Sequence, residues 1–258
     1  MRVSNSLTRF SNRADNYARF RPGYPAAVIE ILTTECRLDE DSVIADVGSG
    51  TGILSELFLK NGNSVFGVEP NAAMRQTAEH LLQKQEKFVN INATAEATTL
   101  HSESVDFVTA AQAFHWFDRA EAKQEFTRIL KPEGWVVLIW NERRLDSTAF
   151  LRDYENLLLR YGTDYEQVRH ENVAGEIADF FAPETFELSV LPNAQHFDFE
   201  SLKGRLLSSS YAPDHDHPNF LAMLKELQEI FDRNQKQGIV SFDYDTKVYY
   251  GHLSHQGL

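Results

Sequence analysis

Short apolar blocks at residues 43–47, 64–68, 88–92, 105–110 and 135–140 are rich in Val, Ile and Phe, and each has the length of a buried strand. Between them, apolar positions three and four apart predict helices over 26–37, 53–60, from 70 onward, and over 119–130. Strand alternating with helix implies a parallel sheet covered on both faces. Beyond residue 141 the rhythm changes. Helical spacing returns at 150–160, at 177–181, around Leu202, Leu206 and Leu207, and at 220–233. Residues 186–191 alternate like a strand, and the strand-like segments 240–244 and 247–250 suit an antiparallel end to the sheet.

The junction after the first strand carries the most chemistry. Asp46 is followed by Gly48, Gly50 and Gly52, three glycines at every second position, and then by a helix that Gly62 can stop. Such a turn lets the backbone pass close to a ligand. The second strand ends on Glu69, whose charged carboxylate can accept strong bonds from both hydroxyls of a ribose. A dinucleotide fingerprint needs a glycine at position 53, where the chain has Ile53.

The pattern D-x-G-x-G-x-G resembles motif I of the class I S-adenosylmethionine-dependent methyltransferases. The resemblance implies a Rossmann-like α/β fold: a seven-stranded sheet, mostly parallel with an antiparallel last strand. A helical lid and helices inserted between strands five and six would complete it. One structural domain would then comprise a helical cap (1–41), a cofactor-binding core (42–141), and a substrate roof with the last strands (142–258). Asp46, Gly48, Ser49, Gly50 and Thr51 would surround the methionine part of S-adenosylmethionine, with Glu69 and Pro70 at the ribose. Ala95 and Glu96 would read the adenine edge, and Gln112 would complete the cofactor set. Met74 reads equally as core or as the floor under the adenine.

Two further stretches narrow the resemblance to the trans-aconitate methyltransferase-like, Crg1-like branch. Residues 10–25 join a short helix to a Pro-Gly-Tyr-Pro turn, and there Tyr17 and Arg21 would close over the cofactor. Residues 111–118, Ala-Gln-Ala-Phe-His-Trp-Phe-Asp, follow strand four and place His115 and Trp116 at the mouth of the site. Lys131-Pro132-Glu133-Gly134 reads as the sharp turn that precedes strand five in this family. The branch points to a small carboxylic acid as methyl acceptor, held by Trp116, Arg143, Tyr211 and one N-terminal arginine. Such an acceptor is ionised at neutral pH and needs no base. A phenol or an amine would need one, and His115 is the best-placed candidate; otherwise it is a packing residue. An NAD-dependent oxidoreductase and a non-catalytic S-adenosylmethionine-binding protein are the alternative readings.

Charge refines the choice of partner. The net charge of −13 argues against nucleic acid or an anionic membrane surface. Against that background residues 1–21 carry five arginines and one aspartate, a local +4. The single cysteine, Cys36, has no partner for an internal disulfide and reads as core. No apolar leader is evident, and the apolar run 135–140 is far too short to span a bilayer, so a cytoplasmic protein is expected. Asp214, His215, Asp216 and His217 alternate ahead of a proline and read as a loop, with no metal expected.

Overall fold

The computed structural model describes residues 20–165, 173–209 and 211–254. Helix α1 (Ala27–Cys36) leads into β1 (Val43–Val47), α2 (Ile53–Asn61), β2 (Ser64–Val68), α3 (Ala72–Leu82), β3 (Phe88–Ile91) and β4 (Val105–Ala111). A 3-10 turn (Phe114–Trp116) precedes α4 (Arg119–Ile129), β5 (Leu130–Arg143), α5 (Ala149–Tyr161) and α6 (Val173–Phe181). The chain closes with β6 (Phe186–Phe197), α7 (Phe199–Leu207), α8 (Phe220–Asn234) and β7 (Val240–Gly251).

The seven strands form one sheet in the order β3-β2-β1-β4-β5-β7-β6. The first five pair in parallel, and β7 runs antiparallel to both of its neighbours. This is the Rossmann-like sheet with the antiparallel last strand. Strand order reverses between β1 and β4, so a crevice opens there beyond the carboxyl ends of the strands.

Period-two alternation divides the sheet's side chains between separate cores. On one face Val108 and Leu138 pack with Phe114, Phe126 and Ile129. On the other, Ile44, Phe107 and Ile139 meet Val28, Leu32 and Phe58. A third core joins Tyr154 and Leu158 of α5, Leu227 and Phe231 of α8, and Phe242 of β7. On α8 the buried positions Met223, Leu227, Ile230 and Phe231 share one stripe, each contributing about 1.5–3 kcal/mol by leaving water. Cys36 is 2% exposed, and burial, aided by Glu35, pushes its thiol up to about 12.

Five expectations are revised. Pro70 precedes helix α3 rather than opening it; Asn71 is the cap, its Oδ1 accepting from the N–H groups of Ala73 (3.0 Å) and Met74 (3.2 Å). The 131–134 turn lies within β5 as an irregularity. Leu130 pairs with Val105 and Trp135 with Phe107, so extra residues bulge between them. The roof helices are also divided: α5 and α6 precede β6, but α7 and α8 lie between β6 and β7. Strand β6 is twice as long as the 186–191 alternation implies, and β7 pairs with it from end to end. Strand β7 runs unbroken through its polar centre because Thr246 donates to Asn141 Oδ1 (2.5 Å) and Asp245 pairs with Arg144 (2.6 Å). Among the described residues no helix is long and apolar enough to cross a membrane.

Candidate active site

The glycine turn sits at the crevice, and its three glycines have different jobs. Gly48 (φ 70°) and Gly52 (φ 82°) are packed: an added Cβ would stand 2.5 Å from Ala113 Cβ at the first and 2.7 Å from Leu82 Cδ1 at the second. At Gly50 (φ 57°) an added Cβ would meet nothing within 4 Å. The loop is thus clamped at both ends and open at its centre. The buried hydroxyls of Ser49 and Thr51 and the Oε1 of Gln112 have no partner among the described residues. Unpaired buried polar atoms around an open backbone turn suit a polar ligand.

Two acids support this loop. Asp46 is 1% exposed, taking hydrogen bonds from Ser55 Oγ (2.6 Å) and Thr109 Oγ1 (3.4 Å). Burial pushes its carboxyl up to about 6, with the Ser55 and Thr109 bonds pulling the other way. It therefore props the turn from beneath. Glu69 accepts from the N–H of Gly50 (3.0 Å) through Oε2 and of Asn71 (2.8 Å) through Oε1. Burial raises its pKa against those two bonds, and each oxygen retains a lone pair for a hydroxyl.

Of the residues expected to border the adenine, Ala95 and Met74 are 4% exposed. Glu96 Oε1 accepts from the Asp118 N–H (2.9 Å), tying the 94–97 turn to the start of α4. Gln112 ends β4 in the left-handed region (φ 54°), donating through Nε2 to Asn141 O (3.3 Å). Non-glycine residues held there carry backbone strain, which clusters at functional sites. The 3-10 turn follows, with Phe114 fully buried against Phe180 (4.9 Å between ring centres). That anchor leaves His115 and Trp116 half-buried and side by side, their rings 4.7 Å apart.

A second group of side chains gathers beyond the end of β5. Arg143 Nη2 pairs with Glu155 Oε2 and donates to Tyr165 Oη (3.1 Å), which itself donates to the same carboxylate oxygen (2.7 Å). The Arg143 guanidinium lies 5.2 Å from the centre of the Tyr154 ring, and its Nη1 is buried without a partner. Tyr211 packs on Tyr165 with ring centres 4.9 Å apart. Burial opposes ionisation of Tyr211, but Arg205, Arg21 and Arg143 outweigh it and hold the phenol below its ordinary range.

Arg143, Tyr211 and Arg21 are therefore brought together. Trp116 stands with His115, and His115 lies near Trp140, which points to the sheet face opposite Arg143. Arg21 follows Phe20, which packs so closely on α7 that a Cβ at Gly204 would lie 2.3 Å from its ring. The adjoining Pro-Gly-Tyr-Pro turn is tied down at Gly23 O, which accepts from Asn141 (3.2 Å) and Asn193 (2.9 Å). Tyr17 lies outside the described residues. Glu155, Tyr165 and Arg205 were not singled out by sequence, although a signal existed. Glu155 and Arg205 each interrupt the apolar stripe of an amphipathic helix, beside Tyr154 and Leu158 and beside Leu202 and Leu206. A cavity of about 890 Å³ lined by Lys131, Trp135 and His252 opens at the opposite, amino-terminal end of the central strands, away from these groups.

An open doubly wound sheet with a glycine loop and an acid at the tip of the next strand, both at its switch point, has the arrangement of nucleoside-cofactor enzymes. The methyltransferase domain family matches residues 45–138. An uncharacterized methyltransferase of Schizosaccharomyces pombe is 30% identical over 253 residues, covering 93% of this chain and 95% of that protein. The S-adenosylmethionine-dependent methyltransferase Crg1 of Saccharomyces cerevisiae is 28% identical over 124 residues, 46% of this chain and 42% of its own. A solved structure from Anaeromyxobacter dehalogenans, assigned as a type II methyltransferase, superposes with a TM-score of 0.70. It covers 92% of this chain and 100% of that one at 22% identity, which speaks for the fold. The chain belongs to the class I S-adenosylmethionine-dependent methyltransferases.

Proposed function

We propose that this enzyme transfers the methyl group of S-adenosylmethionine to a carboxylate oxygen of a small molecule. The observation that carries the reading is the grouping of Arg143, Tyr211 and Arg21 beyond the carboxyl end of β5, a positive aromatic setting in a protein of net charge −13. That overall charge disfavours a nucleic acid as acceptor, and the buried single cysteine goes with a cytoplasmic setting.

S-adenosylmethionine supplies a methyl group on a positively charged sulfur, and its displacement by an ionised carboxylate moves no proton. The chain's own residues then have to bind and align. Gly50 lets the methionine part pass over the turn, with Gly48, Ser49 and Thr51 alongside and Asp46 beneath. Glu69, preset by two backbone N–H groups, receives the ribose hydroxyls. Pro70, Met74, Ala95, Glu96 and Gln112 border the rest of the cofactor. Arg143 and Tyr211 orient the acceptor, and His115 and Trp116 wall the approach. Alignment of this kind can supply roughly 7–11 kcal/mol of the barrier.

The test is turnover to S-adenosylhomocysteine with a pool of carboxylic acids, phenols and amines, run with the native enzyme and with His115→Gln. We expect carboxylic acids alone to be methylated, with His115→Gln keeping its rate to within about 10-fold. A loss on the order of 100-fold or more, with cofactor binding intact, would make His115 a general base and a phenol or amine the acceptor.

A further inference from the structure

We propose that Arg205, rather than Arg143, anchors the anionic group of the methyl acceptor, its buried charge being left for the ligand to neutralise. The inference deepens the carboxylate reading and rests on it for the identity of the ligand. The two arginines differ in what already holds them. Arg143 is latched: Glu155 pairs with its Nη2 and Tyr165 closes the triangle, leaving one N–H direction open. Arg205 is 7% exposed, yet none of the ion pairs among the described residues involves it. Among the described residues its hydrogen-bond partners are neutral hydroxyls, those of Ser209 (3.0 Å from Nη1) and Tyr244, and its Nε is buried without a partner. The phenols of Tyr244, Tyr211 and Tyr154 lie within its electrostatic reach.

A guanidinium removed from water without a counter-charge is costly, and a chain that keeps one there is prepared for an anion. Helix α7 fixes its place: Leu202 and Leu206, which flank it on the same stripe, are fully buried, and Gly204 admits the Phe20 ring against the helix. Tyr154 and Tyr211 are in electrostatic reach of both arginines. The ligand class that fits is a carboxylate carried on an apolar or aromatic body. Arg205 would take the charge, Arg143 Nη1 would add one bond, and the tyrosine faces would cover the body.

The test uses the full chain and two substitutions, with benzoate and succinate as probes in thermal unfolding and with acceptor kinetics on any acid the pool assay identifies. We expect at least one probe to raise the unfolding temperature of the native protein saturably. Arg205→Met should fold without ligand at least as stably as the native chain and lose that response. Arg205→Lys should keep the fold and S-adenosylmethionine affinity but raise acceptor KM by about 10-fold or more, because ammonium cannot reproduce the planar fork. An Arg205→Met chain that no longer folds, an undiminished probe response in it, or an unchanged KM in Arg205→Lys would each overturn the anchor role. Failure of the parent reading looks different: the native enzyme would then methylate only phenols or amines, while the probe response still reports directly on Arg205.

Discussion

The glycine-loop side and the proposed acceptor side of this enzyme carry opposite buried charges and hold them by opposite means. At the glycine loop the buried groups are acids, Asp46 and Glu69, and their partners are hydroxyls on α2 and β4 and backbone N–H groups of the loops after β1 and β2. Beyond β5 the buried groups are arginines, and their partners are side chains from α5, α7 and the loops after them. A cationic sulfonium suits the first setting and an anionic acceptor the second. The backbone-held site is preset by the fold itself; the side-chain-held site depends on helices brought in from elsewhere. Damage should therefore spread differently in the two regions.

The largest effect is expected on the acceptor side. Glu155→Ala leaves the Arg143 guanidinium buried without its carboxylate, and breaking a buried pair costs about 3–5 kcal/mol. Urea unfolding should show a loss of that size, while calorimetry of S-adenosylmethionine binding to the folded protein stays unchanged. A matching fall in cofactor affinity would mean that the two regions are not separable.

Next comes the pH dependence of the donor side. The Asp46 carboxyl titrates near 6 in the folded chain and near 3.8 when unfolded. Between those values the folded state keeps a proton that the unfolded state has released, so stability falls as pH rises through that window. A raised pKa of this size corresponds to about 3 kcal/mol at most. Asp46→Asn should lack this fall, leaving a smaller slope of the same sign from Glu69, whose pKa is also raised. Unfolding curves from pH 4 to 7 that superpose in slope for both proteins would show that burial of Asp46 is not costly.

Smallest, and sharpest in location, is Glu69→Ala. Affinity for S-adenosylmethionine should drop by about 1.5–3 kcal/mol, the value of hydrogen bonds to a charged group. Probe-induced stabilisation by benzoate or succinate should be untouched. Isothermal calorimetry with cofactor and with probe separates the two responses.

The same contrast explains what was legible in the chain. Asp46, the three glycines and Glu69 lie within 24 consecutive residues, and the strand-turn-helix-strand pattern around them is local. So is the aromatic turn at Phe114, His115 and Trp116. Arg143 and Tyr211 could be named from a family resemblance. That Glu155 and Tyr165 take up half of Arg143, and that Arg205 stands beside them, could not. Local pattern also hides the bulge at 131–134 and the unbroken β7, because pairing with β4 and β6 overrides it.

By itself, the sequence determined the alternation of strands and helices, the glycine turn and the acid after it, since apolar period and backbone freedom act over a few residues. Only the tertiary structure decided which arginine has a counter-charge. Arg143, Glu155, Tyr165, Arg205 and Tyr211 are separated by up to 68 positions. They meet because β7 pairs with both β5 and β6, and that pairing draws the helices on either side of β6 over one end of the sheet. Charge neutralisation at such a site depends on distance in space, which no local pattern of hydrophobic and polar residues encodes.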